Sequence, residues 1–151
     1  MSCREDRLLD LNILTALLWP AHEHHEAAHR WFGARRNRRW ASCAMTELGL
    51  IRLITNPSFS RDALSPSDAL VLLSSNLADE NHDFWIEDLS VAEALAAVPR
   101  KLQGHKQLTD AYLLALASHH HGVLATFDRG IESLAAGWAT SALEMVSSRI
   151  S

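Results

Sequence analysis

Two short apolar runs in this chain each stop on an aspartate, and a helical pattern follows. Asp128 comes after Val123-Leu124-Ala125-Thr126-Phe127, and Asp10 comes after Leu8-Leu9 and before Asn12-Ile13-Leu14. A carboxylate at the carboxyl end of a strand lies where open α/β sheets build their sites. Two more acids are read in the first turns of helices. Asp110 opens the run TDAYLLALASHHH, and Glu47 opens the run from Met45 to Thr55 that follows Trp40-Ala41-Ser42-Cys43. Free backbone N–H groups and the helix dipole stabilise a carboxylate at that position. Four acids therefore recur at strand-to-helix junctions, which share one edge in a parallel sheet.

The rest of the chain alternates in the same way. Residues 6–10 read as a strand, and Asn12 to Leu18 as a helix stopped by Trp19-Pro20, because proline cannot continue one. Residues 22–34 read as a second helix and Arg39 to Cys43 as a second strand. The run TELGLIRLIT ends before Asn56-Pro57, a strong stop, and residues 57–64 read as loop. Ser65, Pro66 and Asp68 supply an N-cap, an N1 proline and an N3 acid for a helix reaching Ala78. HDFWIE, residues 82–87, reads as the third strand. Ser90 and Glu93 form a capping box for a short helix closed by Pro99, and residues 100–106 read as a polar loop. A helix over Ile131 to Ala136 and a strand over Leu143 to Val146 complete the pattern. Alternating strands and helices predict a three-layer α/β/α domain around a central, mostly parallel sheet of about five strands. Right-handed crossovers are expected, which leaves the strand order open.

A chain of 151 residues is expected to form one domain over 1–151. Its net charge of −4 gives no global basic footprint, so nucleic-acid contact would need a local patch or a bound metal. Cys3 and Cys43 make no disulfide framework, and MSCREDRLLDLN lacks the apolar core of a signal peptide. No apolar run approaches the length of a membrane span. Cytoplasmic localisation without a membrane partner is the expectation.

Carboxylates gathered in one partly dry cleft repel each other, at a cost on the order of a few kcal/mol per close pair. Protonation or a divalent cation relieves that cost. No lysine lies in the four motifs, and oxygen-only ligation suits Mg²⁺ or Mn²⁺. Such an ion can hold a phosphate oxygen and lower the pKa of a bound water, which is the physics of phosphodiester hydrolysis. Taken singly, each acid also reads as a turn former or a helix cap.

The pieces LLDLNILTALL, HEAAHRWF, WASCAMTELGLIRLITNP, GHKQLTDAYLLALA and GVLATFDRG follow in that order over roughly residues 8–130. Together they resemble the PIN domains, and within them the VapC-type toxins of bacterial toxin–antitoxin pairs. The resemblance implies a PIN-like fold and a metal-dependent endoribonuclease that hydrolyses RNA phosphodiester bonds. Its acidic quartet maps onto Asp10, Glu47, Asp110 and Asp128, with none missing. On that mapping Asp10 and Asp110 hold Mg²⁺ or Mn²⁺ directly, and Asp128 binds directly or through water. Glu47 orients water or holds a second ion. Asn12, Thr109 and Thr126 supply hydrogen bonds that orient these ligands. The resemblance also implies a homodimer, and a small cognate antitoxin protein that fills the cleft.

Other features weigh less. Arg35, Arg36, Arg38 and Arg39 form a basic turn suited either to solvent or to a phosphate backbone. Lys101, His105 and Lys106, with Arg100, precede the Asp110 helix and are further candidates for RNA contact, as is Arg52 on the Glu47 helix. His22, His25 and His29 share the face of one expected helix and read as a polar face rather than a transition-metal site. His119, His120 and His121 end a helix, where cations suit the dipole. Trp31, Phe32, Trp40, Phe84 and Trp85 read as core or interface rather than base-stacking platforms. Leu17, Leu18 and Trp19, with the 66–78 helix, offer apolar surface to a dimer partner or an antitoxin.

Competing classes fit less well. A haloacid-dehalogenase-type phosphatase wants a second aspartate two residues after Asp10, where Asn12 stands, and a late lysine; none follows Lys106. A receiver domain lacks the same lysine, and no GxxxxGK[ST] phosphate loop occurs. The remaining alternative is a catalytically weak PIN-like module that binds RNA or protein, against which the intact quartet argues.

Overall fold

The computed structural model describes residues 6–35, 39–98, 102 and 104–149, with Lys106 described by its backbone only. Five strands form one sheet: β1 (Arg7–Leu9), β2 (Trp40–Ser42), β3 (His82–Phe84), β4 (Val123–Thr126) and β5 (Leu143–Met145). Their order is β3-β2-β1-β4-β5, and every pairing is parallel. The described helices are α1 (Leu11–Leu18), α2 (His25–Ala34), α3 (Ala44–Ile54), α4 (Pro66–Leu77), α5 (Val91–Ala96), α6 (Lys106–His119) and α7 (Gly130–Ala135). A 3-10 turn, Thr140–Ala142, leads into β5.

The pleat sorts the core into two layers. Leu8, Ala41 and Leu124 turn to one face of the sheet and pack with Ala94, Leu113, Leu116, Ile131 and Ala135 from α5, α6 and α7. Their neighbours Leu9, Trp40 and Ala125 turn to the other face and pack with Ile13, Ala28, Leu50, Ile54 and Leu73 from α1 to α4. Successive strand residues are thus both buried, as a sheet covered on both faces requires. This is the expected three-layer arrangement. Gly122 shows how tightly β4 is entered: a Cβ there would stand 2.5 Å from the Trp85 ring and 2.9 Å from the Asp6 carbonyl.

Helix boundaries follow the local chemistry. Ser65 accepts from Asp68 N at 3.1 Å with Pro66 at N1, and Ser90 accepts from Glu93 N at 3.1 Å. The carbonyls at the end of α1 are met by histidines. A ring nitrogen of His25 lies 2.8 Å from Ala16 O, and one of His29 lies 2.8 Å from Leu17 O. This corrects the reading of His22, His25 and His29 as one helical face. The helix α2 begins only at His25, and His22 sits in a turn closed by a hydrogen bond from its N–H to Trp19 O, 3.0 Å. Pro20 stops α1, and the chain needs a turn before it can re-enter a helix. Among the described residues, no helix is long and apolar enough to cross a membrane.

Candidate functional site

Asp10 is the N-cap of α1 and leaves β1 at its carboxyl end. Its carboxylate accepts from Leu11 N at 2.8 Å and from Thr126 Oγ1 at 2.7 Å, while its own N–H donates to Ala125 O at 2.9 Å. Only 6% of the residue is exposed. Burial raises its pKa above the usual carboxylate range, against the Thr126 and Leu11 hydrogen bonds, and the nearby Asp128 charge raises it further.

Thr126 ties the two strand-end aspartates together. It is fully buried. Its hydroxyl donates to Asp10 and accepts from Asn12 Nδ2 at 3.2 Å and from Asp128 N at 3.0 Å. One proton and both lone pairs are thereby used. Asn12 Oδ1 accepts in turn from Phe127 N at 3.3 Å. Asp128 Oδ1 accepts from Gly130 N at 2.9 Å, which orients that carboxylate at the start of α7.

Asp110 completes the group from α6. Burial pushes its carboxyl pKa up to about 6, and the charges of Asp10 and Asp128 act in the same direction. It stands in the second turn, not the first, because α6 begins at Lys106. Proximity to the other acids and burial therefore govern its ionisation, rather than the helix dipole, which fades beyond the first turn. Asp10, Asp110 and Asp128 line one cleft of about 310 Å³ with Leu11, Asn12, Thr15, His22, Leu53 and Phe59.

Glu47 is the member of the expected quartet that does not line this cleft. It sits in the first turn of α3 at the same sheet edge, after β2. Its Oε2 accepts from Ser42 Oγ at 2.7 Å, and Ser42 Oγ lies 2.7 Å from His82 Nε2 on β3. These bonds draw Glu47 toward the β2–β3 side. Ser42 is fully buried, and burial lowers the pKa of His82 while the Glu47 charge opposes that shift.

The remaining candidates divide by sheet edge. Arg52 is exposed on α3 and lines a cavity of about 240 Å³ that shares Leu11 and Leu53 with the acid cleft. His105 and Thr109 are exposed at the start of α6, and neither lines the cleft. Arg39 precedes β2 and pairs with Asp6, which precedes β1, at 3.0 Å. Arg35 lies over the Trp31 ring, 5.1 Å from its centroid, with burial and the charge of Arg7 lowering its pKa. Both arginines therefore lie by the amino ends of the strands, away from the acids. Arg36, Arg38, Arg100, Lys101 and the side chain of Lys106 lie outside the described residues. His119 ends α6, His120 caps it, and His121 takes the left-handed turn at φ 58°.

The sequence reading gives no site role to Leu11, Thr15, Leu53 and Phe59, which also line the cleft, and places His22 on a polar helix face. Pro20 is the signal that takes His22 off a helix and into a connecting turn. The His24 ring packs against Phe127 at 5.5 Å, just beyond β4, and so holds that turn at the carboxyl edge. His24 N donates to His22 Nδ1 at 3.0 Å, and burial lowers the His22 pKa.

An all-parallel five-stranded sheet with helices on both faces and aspartates gathered at its carboxyl edge defines a class. The sequence model of the PIN domain matches residues 7–137, and the chain belongs to the PIN-domain family. It is 40% identical over 133 residues to Ribonuclease VapC44 of Mycobacterium tuberculosis, covering 88% of this chain and 93% of that protein. It is 37% identical over 131 residues to Ribonuclease VapC39 of the same organism, covering 86% and 94%. Ribonuclease VapC38 is 40% identical over 128 residues, covering 85% and 89%.

Proposed function

We propose that this chain is a metal-dependent endoribonuclease and the toxin of a toxin–antitoxin pair. One observation carries the reading: three aspartates from separate elements share a cleft in which burial and mutual repulsion raise the pKa values of Asp10 and Asp110. Groups so perturbed in a cleft are candidates for chemistry. The names of the relatives supply the substrate class.

The donor set fits a hard divalent cation. Asp10, Asp110 and Asp128 offer oxygen only, and a cation among them would relieve the repulsion that raises the pKa values of Asp10 and Asp110. Among the described residues, no three carboxylate, imidazole or thiol side chains converge closely enough to enclose an ion. Mg²⁺ does not require such a cage, since it keeps several waters and binds through one or two carboxylates. Asp10 and Asp110 would hold the ion, with Asp128 binding directly or through water. Bound there, Mg²⁺ or Mn²⁺ would polarise the scissile phosphate and acidify a water.

The protein's own contribution is orientation. Thr126 fixes Asp10 and Asp128 relative to each other, and Asn12 holds Thr126. Glu47, steadied by Ser42, would accept a proton or hold a water at its Oε1. RNA would approach past Arg52 and His105 rather than along Arg35 and Arg39. Exposed Leu48 on α3 and Leu70 and Val71 on α4 would suit a second copy of the chain, and the antitoxin would close the cleft. The test is cleavage of total cellular RNA by the antitoxin-free protein with Mg²⁺, with Mn²⁺ and with EDTA, beside Asp110→Asn. Discrete fragments that need metal and vanish in the variant are expected; fragments that survive in Asp110→Asn would remove Asp110 from the chemistry.

A further inference from the structure

We propose that His22 and Phe59 form a nucleobase subsite beside the acids, with a base next to the scissile phosphate lying against the Phe59 ring. The inference rests on the ribonuclease reading above and names the part of RNA this flank of the cleft receives.

The argument begins with continuity. His22 and Phe59 line the acid cleft, and both also line a second cavity of about 210 Å³ with Trp19, Ala21, Glu23 and Ser60. His22 and Phe59 therefore stand where the acid cleft adjoins this second cavity. A strand with a phosphate at the acids would lead its neighbouring nucleotide toward that junction.

Phe59 is prepared for stacking. Its ring lies on Trp19 with centroids 5.4 Å apart and 29° between planes, and 42% of the residue stays exposed. Trp19 beneath it is only 5% exposed, so the platform is backed by core. The loop beneath is hydrogen-bonded in place: Phe59 N donates to Asn56 O at 2.9 Å, Ser58 N to Asn56 Oδ1 at 3.0 Å, and Leu64 N to Ile54 O at 2.7 Å. Single-stranded RNA is recognised largely by splayed bases stacking on aromatic side chains, and a fixed ring loses little freedom on binding.

Polar groups around the ring favour a base over a phosphate. The His24 N–H donates to His22 Nδ1, so the neutral His22 ring carries its proton on Nε2 and presents a donor. The Glu23 carboxylate lines the far cavity, with its side chain 82% exposed. A carboxylate repels phosphate oxygens but accepts from an exocyclic amine. A donor and an acceptor that line the same cavity as an aromatic face suit the edge of adenine or cytosine.

The experiment is fluorescence-anisotropy binding in EDTA, where no cleavage competes. The probes are labelled oligoadenylate of about 12 nucleotides and an abasic oligomer with the same backbone length. Wild-type protein should bind oligoadenylate about tenfold more tightly than the abasic oligomer. Phe59→Ala should erase that difference by weakening oligoadenylate alone, and Phe59→Tyr should restore it. Phe59→Leu, which keeps apolar packing on Trp19, should behave like Phe59→Ala and serves should the alanine variant misfold. An intact oligoadenylate advantage in folded Phe59→Ala or Phe59→Leu would overturn the subsite, as would equal weakening of both oligomers. Wild-type protein that neither binds oligoadenylate nor cleaves total RNA would instead remove the ribonuclease reading itself. Wild-type protein that cleaves RNA but binds both oligomers equally would refute the subsite alone.

Discussion

The two edges of the sheet treat charge in opposite ways. Around the amino ends, Arg39 pairs with Asp6 at 3.0 Å, Arg7 with Glu144 at 2.6 Å, and Trp31 Nε1 donates to the same Glu144 at 3.0 Å. At the carboxyl ends, Asp10, Asp110 and Asp128 face one cleft, and no ion pair to any of them occurs among the described residues. Opposite charges side by side settle the fold locally. Like charges held together oppose it and wait for something cationic. The contrast separates residues that hold the sheet from the residues proposed to act on RNA.

The largest effect should come from Asp110→Asn. Removing one carboxylate from the group should slow RNA cleavage on the order of a thousandfold, several kcal/mol of barrier. The same variant should be the more stable protein at neutral pH. The folded pKa of about 6 lies above the ordinary aspartate value of 3.8, so the native state holds its proton more tightly than the unfolded chain. Stability from this group is therefore present below about pH 4 and lost as pH rises through 6. Denaturation of metal-free protein should show Asp110→Asn ahead of wild type by about 1 kcal/mol at pH 8, after discounting for a half-exposed carboxyl, and level with it near pH 4. A constant gap across that range would show that ionisation of Asp110 is not its origin.

Next comes Thr126→Val, which removes the hydroxyl shared by Asp10, Asn12 and Asp128 and should weaken Mn²⁺ binding about 10- to 100-fold. Thr126→Ser should recover most of it. Calorimetric titration of both variants decides; undiminished binding by Thr126→Val would mean that the hydroxyl does not matter, and a loss confined to Thr126→Ser would point to the methyl packing. Ser42→Ala should cost less, about tenfold in kcat at saturating RNA, because it leaves Glu47 in place but unheld. An unchanged kcat would remove orientation of Glu47 from the mechanism.

These residues also mark how far the sequence could be read. Strand-end Asp10 and Asp128 were legible because a parallel sheet places every strand end on one edge. The three-layer fold followed from the alternation of strands and helices. Strand order was not legible, since a right-handed crossover constrains hand but not adjacency. That gap explains Glu47. Its junction lies on the expected edge, but β2 flanks β1 on the side away from β4, and Ser42 with His82 draws the carboxylate toward β3. Asp110 was misplaced by one helical turn, because α6 begins at Lys106 without a side-chain cap, leaving no boundary signal to read. His22 followed a helical period shared with His25 and His29, yet a proline two residues earlier outweighs periodicity. Arg39 read as a basic-turn residue; its partner Asp6 lies 33 residues earlier, beyond any local pattern.

Arg39→Ala should have the smallest effect and tests the other half of the contrast. The pair with Asp6 is exposed, and such pairs contribute about 0–1 kcal/mol. Its two hydrogen bonds, at 3.0 and 3.4 Å, link the residues that lead into β2 and β1. Removing them should lower stability by a few tenths of a kcal/mol, and less at high salt, where exposed charges are screened. Cleavage rate and RNA affinity should stay at wild-type levels, because the side chain lies by the amino ends of the strands. Parallel denaturation and cleavage assays at low and high salt separate the possibilities. A loss of RNA affinity with a reduced salt slope would mean that RNA wraps from the acid cleft to the opposite edge, and the division of labour between the edges would fail.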